Sequence, residues 1–155
     1  MNKFLNKLMK ERKLQIVDVS EEISDSYRKK SESNLISSKI LSENERFEES
    51  VSLAYYSMYN ISLSLLFKVG IKCENHKACA ILLKEIFDLD NLPLIQSKEE
   101  RIDKQYYVGF KISKEEVKKS IEIAEEFNRN LRGFILSLNN FKIKEYRNKF
   151  LEAIK

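Results

Sequence analysis

A chain of 155 residues with 3 Gly, 1 Pro, 34% charged and 43% hydrophobic residues has room for one core, few turn-formers and many helix-formers. It predicts one domain over residues 1–155, built of long helices with short joints. The net charge of +4 gathers at the ends: residues 1–13 hold five basic side chains against Glu11, and residues 142–155 hold five against Glu145 and Glu152.

The longest apolar stretch, residues 61–67, is broken by Ser62 and Ser64 and falls far short of the ~20 residues that span a bilayer, so a membrane protein is not expected. Residues 1–13 lack the apolar run of ~7 to 15 residues of a secretion signal, which places the expected compartment in the cytoplasm. Basic ends can track phosphate through counterion release, but solvated lysines on exposed helix faces read equally well. Cys73 and Cys79, the only cysteines, suggest neither a disulfide framework nor a zinc site. A Cys73, His76, Cys79 triplet has helical spacing but no fourth ligand, so no metal and no cofactor is expected.

In chain order, a first helix is predicted over residues 2–14, with Phe4, Leu5, Leu8 and Met9 on one side. Residues 15–19 join it to a second, opened by Ser20 as N-cap with Glu21 and Glu22 in the first turn. That helix runs to about Leu41, with Ile23, Tyr27, Leu35 and Ile36 as anchors in a Ser/Lys-rich surface. Ser42 and Glu45 match a capping box ahead of an apolar run from Phe47 to Val69. There Phe47, Val51, Ala54, Tyr55, Met58, Ser62 and Leu65 share one face while Leu53, Tyr56, Ile61 and Leu66 occupy others, so this helix should be central, closed by Gly70.

Asn75 is expected to cap a fourth helix ending near Phe87. Residues 88–96, with the single proline, read as a loop, and a short helix follows over residues 98–106. Ser113 and Glu116 form a second capping box before a long stripe of Val117, Ile121, Ala124, Asn128, Leu131, Ile135 and Leu138. Asn128 interrupts that stripe, either facing tyrosine hydroxyls in the core or lining a cleft. Residues 142–154 form a basic amphipathic helix with Phe141, Tyr146, Phe150 and Ile154, free to fray, dock or meet a partner.

Two stretches carry a resemblance. Arg46-Phe47-Glu48-Glu49-Ser50-Val51-Ser52-Leu53-Ala54-Tyr55-Tyr56-Ser57-Met58-Tyr59-Asn60, with residues 63–66, Gly70 and then His76, resembles the signature of the HEPN domain family. Residues 101–106, 111–117 and 124–127 resemble that family's Arg-containing helix end, short loop and acidic long helix. The resemblance spans about residues 26–138. It implies an all-α, antiparallel HEPN-like helical bundle of four to six helices, with a core over about residues 20–138 and basic terminal helices. It also implies a homodimer with a polar cleft at the interface.

In the family's ribonucleases an Arg is followed, after four to six intervening residues, by a His. Arg101 matches the Arg, but Tyr106 stands at the His position. Metal-free RNA cleavage needs a base for the 2′-OH and a cation for the developing phosphate charge. A phenol with pKa ≈ 10 is almost wholly protonated at neutral pH, so Tyr106 is a poor base and the resemblance implies a degenerate ribonuclease site built on Arg101 and Tyr106. His76, the only histidine, is the remaining candidate base, against a reading as a packing residue of a helix's first turn. Arg101, Asp103, Tyr107 and His76 are the candidate binding residues, with Asp103 and Glu100 also able to serve as ion-pair partners of Arg101. The expected activity is RNA or nucleotide binding in a toxin–antitoxin or defence setting. The alternative is a non-catalytic module that pairs with a small nucleotidyltransferase.

Overall fold

The computed structural model describes the backbone of residues 3–106 and 111–155, and the side chains of residues 3–99 and 111–155. The described residues form helices α1 (Lys3–Lys10), α2 (Glu21–Glu43), α3 (Phe47–Lys68), α4 (His76–Glu85), α5 (Leu92–Tyr106), α6 (Lys114–Ser137) and α7 (Asn140–Ala153), with strands β1 (Leu14–Ile16) and β2 (Ile71–Cys73). The fold is all-α as expected, with seven helices among the described residues rather than four to six. No helix among these residues is long and apolar enough to cross a membrane.

α3 is central because its sequence leaves no polar side wide enough to face water. Residues on every side of it are buried, including Tyr55, Met58, Ile61, Leu65 and Leu66. α2 packs along it in a way the composition concealed. Its buried residues are Ser24, Ser31 and Ser38, seven apart, opposite Ser64, Ser57 and Ser50 of α3. A seven-residue interval returns a helix to nearly the same face, so two antiparallel helices can present matching small residues along a shared seam.

In the outer rungs each hydroxyl donates to the opposite backbone carbonyl: Ser24 to Ser64 at 2.8 Å and Ser64 to Ser24 at 2.7 Å, then Ser38 to Ser50 and Ser50 to Ser38, both at 2.7 Å. The middle rung runs one way. Ser31 donates to the Ser57 carbonyl at 2.6 Å, while the Ser57 hydroxyl donates to the Ala54 carbonyl and accepts from Asn128 Nδ2 at 3.0 Å. A side rail continues the antiparallel pairing, with Asn60 Nδ2 donating to Asn34 Oδ1 and Tyr27 stacked on Phe67. The anchors expected on α2 are therefore corrected: Ile23 and Ile36 are exposed, and serines make the contact because a larger residue would hold the two backbones apart.

Caps decide the element ends. Ser20, Asn75, Ser113 and Asn139 each accept a backbone N–H at the start of their helices. The Ser42–Glu45 capping box does not form. Ser42 lies in the last turn of α2, Glu45 adopts φ 60° and Arg46 N–H reaches back to the Leu41 carbonyl. This is a Schellman closure, and α3 starts at Arg46 without a side-chain cap. α1 ends in the same way at Arg12, φ 58°, with Lys13 N–H on the Leu8 carbonyl. That closure ends α1 four residues before its predicted boundary and releases residues 14–16 to pair with residues 71–73. A left-handed conformation costs a residue with a Cβ about 1–2 kcal/mol, so Glu45→Gly is expected to raise stability by up to about 1 kcal/mol, read as a higher urea midpoint at unchanged slope.

The stretch expected to be a loop, residues 88–96, is one only over residues 88–91, and residues 92–96 are corrected to helix. Asn91 carries the first helical carbonyl, accepting from Ile95 N–H, and Asp90 caps the Leu92 N–H at 3.0 Å. Pro93 sits in the first turn of α5, where its missing N–H removes nothing. The C-terminal helix docks rather than frays. Phe150 is 1% exposed, and Arg147 Nη1 donates to the carbonyls of Val17, Val69 and Gly70 at 2.7–3.2 Å, meeting the C-terminal end of α3. Phe141, expected on its apolar side, stays exposed. Gly70, at φ 80°, closes α3 as predicted, and a Cβ there would run into the Arg147 side chain and the Val17 carbonyl.

Candidate functional site in the cleft between three helices

α3, α4 and the first half of α5 enclose a cleft of about 320 Å³. Ala80, Ile81, Leu94 and Ile95 form its apolar walls; Tyr55 and His76 lie at one side, and Lys77, Lys98 and Glu99 supply its charge. Each position follows from local structure. Asn75 caps α4 through the Ala78 N–H at 2.9 Å and so fixes His76 as the first helical residue. Asn91 Nδ2 donates to the Ala80 carbonyl at 2.8 Å, tying the start of α5 to α4.

His76 is held from two directions. Its Nδ1 hydrogen-bonds the Tyr55 hydroxyl at 2.5 Å, and its ring stacks on Tyr59 with centroids 3.9 Å apart and planes 15° from parallel. Tyr56 meets it edge-on. The packing expected of His76 is present, and its half-buried ring also lines the cleft. Tyr55 is 1% exposed, so its phenol is a fixed partner that orients the imidazole. Burial drives the Tyr59 phenol far above its ordinary pKa, with Cys79, Cys73 and Tyr55 adding to the effect, so Tyr59 stays neutral and serves as a stacking surface.

Cys73 lies in β2, not at a helix start, and donates to the Asn75 carbonyl; burial pushes its thiol up to about 11, and burial raises Cys79 as well. Both thiols are free and stay protonated at neutral pH, which makes them poor nucleophiles and poor metal ligands. Among the described residues no three His, Cys, Asp or Glu side chains are grouped to hold a metal.

The backbone of α5 carries positions 101, 103 and 106 beyond Lys98. The side chains of Arg101, Asp103 and Tyr106, with that of Glu100, lie outside the described residues, as does Tyr107 entirely. Of the predicted site residues, His76 is the one placed at the cleft. The Leu94–Ile95 wall escaped sequence reasoning because residues 88–96 read as a loop, while Lys77 and Lys98 fell in expected helices with nothing to mark them from other surface lysines. The signal that could have found the wall is the run Asp90-Asn91-Leu92-Pro93, two capping residues ahead of a first-turn proline.

The sequence model of the HEPN domain matches residues 24–133, well over half the chain and the whole of this cleft's lining. The chain belongs to the HEPN domain family. No curated protein matches it. The HEPN match runs from the fourth residue of α2 to near the end of α6, so α1, β1 and α7 are additions that pack on the HEPN core. Arg147 of α7 and Val17, which follows β1, both lie outside the match and meet at the C-terminal end of α3, which lies inside it.

Proposed function

We propose that this HEPN protein binds RNA or nucleotides in the cleft between α3, α4 and α5, in a toxin–antitoxin or defence setting, and that its ribonuclease site is degenerate. The observation that carries the reading is the cleft within the HEPN match: an oriented imidazole on a stacked phenol, apolar walls and two lysines in the lining. A base can lie against the walls while Lys77 and Lys98 draw phosphate. In this proposal Arg101, one helical turn past Lys98 in α5, contacts phosphate with Tyr106 and Asp103 nearby, and Tyr107 and His76 complete the binding set. A homodimer brings two copies of Arg101 to one polar groove.

Catalysis is weak or lost in this reading, since Tyr106 replaces the base and the Nδ1 of His76 is engaged by Tyr55. The test is a titration with single-stranded RNA at low salt. Wild type binds; Arg101→Ala binds more weakly whatever the sequence, with a salt slope smaller by about one. Equal and negligible binding by both proteins overturns the reading.

Exposed apolar side chains favour the second reading, a non-catalytic module that pairs with a small nucleotidyltransferase. Ile36 and Ile40 lie one turn apart on α2 at 60% and 53% exposure. Co-purification of the two proteins, lost in Ile36→Lys with Ile40→Lys, supports this pairing; failure to co-purify counts against it.

A further inference from the structure

A second concave site lies between α2, α3 and α6, a groove of about 200 Å³ that shares no lining residue with the HEPN cleft. Leu35 and Ile61 supply its apolar surface. The charged side chains are Glu32, Lys39, Glu125, Arg129 and Arg132, three cations against two carboxylates. Glu125 is taken by Lys39 at 3.0 Å, and Glu32 by Arg28 at 3.1 Å with Arg132 more loosely at 3.7 Å. Arg129 is exposed and, among the described residues, has no carboxylate partner, so the groove carries a surplus cation with a second guanidinium three residues on.

Asn128 supplies the other half. It is 6% exposed, lines the groove, and donates through Nδ2 to Ser57, but its Oδ1 is buried with no hydrogen-bond partner among the described residues. A buried acceptor left unmatched costs about 1–3 kcal/mol, so a donor brought by a ligand to the groove would recover that cost. The terminal torsion of an asparagine is broad, so the Asn128 amide can adjust to a donor in the groove it lines.

We propose that this groove binds a small phosphate ester with a hydroxyl close to its phosphate: the hydroxyl donates to Asn128 Oδ1 and the phosphate bridges Arg129 and Arg132. Asn128 and Arg132 stand four residues apart on α6 and so are neighbours on one helix face, which suits a ligand whose hydroxyl lies near its phosphate. A tetrahedral dianion suits two guanidiniums better than a single carboxylate does, since it offers each an oxygen pair. Glu32 keeps Arg28 when Arg132 turns to the ligand.

The test is calorimetric titration of the full chain with ribose 5-phosphate, ribose and inorganic phosphate at low salt. Ribose 5-phosphate should bind at least ~10-fold more tightly than either fragment, and Arg129→Ala should weaken it ~10-fold or more. Asn128→Leu should bring ribose 5-phosphate down to the level of inorganic phosphate. Arg129 is exposed, so its substitution leaves folding intact and keeps the result readable if Asn128→Leu disturbs the core. Competition by a 5′-phosphorylated ribo-oligonucleotide would identify the ester as a strand end, whereas its failure to compete assigns the groove to a free metabolite. Equal binding of ribose 5-phosphate and inorganic phosphate, absence of binding, or an unchanged Arg129→Ala would overturn the proposal.

Discussion

Ser57→Leu should destabilise the protein by about 3–5 kcal/mol, enough to consume much of a typical domain's stability. Two effects combine. Ser57 is fully buried, with Ser31 of α2 on its carbonyl at 2.6 Å and its own hydroxyl between the Ala54 carbonyl and the Asn128 amide, so added methylenes have no open space to enter. Overpacking of this kind costs about 1–3 kcal/mol. Removing the Ser57 oxygen also leaves the Asn128 amide without its acceptor, in a residue whose Oδ1 is already unmatched, at about 1–3 kcal/mol more. Ser57→Ala fits the seam and should cost only the hydrogen bonds, about 1–3 kcal/mol. Urea denaturation of the pair separates the two contributions: a Leu variant no worse than Ala would mean that the seam is looser than these contacts require.

Phe150→Ala is the second large effect, an expected loss of about 3–5 kcal/mol from a fully buried aromatic ring. The loss matters beyond its size because α7 lies outside the HEPN match yet closes the end of the central helix. With Phe150 gone, α7 keeps only partly buried apolar contacts, Ile143, Tyr146, Ala153 and the following Ile154, together with Arg147 on three carbonyls. Amide hydrogen exchange should therefore show faster exchange in residues 140–153 and at Val17, whose carbonyl Arg147 binds, while the α2–α3 seam keeps its protection. Uniform loss of protection would instead make α7 part of the same cooperative unit as the core.

The central helix was plain in the sequence because its apolar residues fall on every face, a pattern that only burial satisfies. Ser20, Asn75 and Ser113 were legible for a similarly local reason: each cap is settled by a side chain and an N–H three residues away. What escaped was set by tertiary partners. A serine that will be buried against another serine looks like a surface serine, and the interval 24, 31, 38 gains meaning only beside 50, 57, 64. The short pairing of Leu14–Ile16 with Ile71–Cys73 was equally hidden, since three residues carry too little pattern to compete with a helical reading. Glu45 shows the opposite failure, a valid capping-box spacing overridden by the closure of the preceding helix. At the site, His76 was found by being the sole histidine, while its Tyr55 partner read as a core aromatic and is both.

Amide chemical shifts recorded while single-stranded RNA is added at low salt test the central claim, that the HEPN cleft is the binding surface, most directly. The account predicts shifts concentrated at His76, Lys77, Ile81, Ile95 and Lys98, saturating with the RNA. Shifts confined to the basic helices α1 and α7, with those cleft residues unmoved, would contradict it.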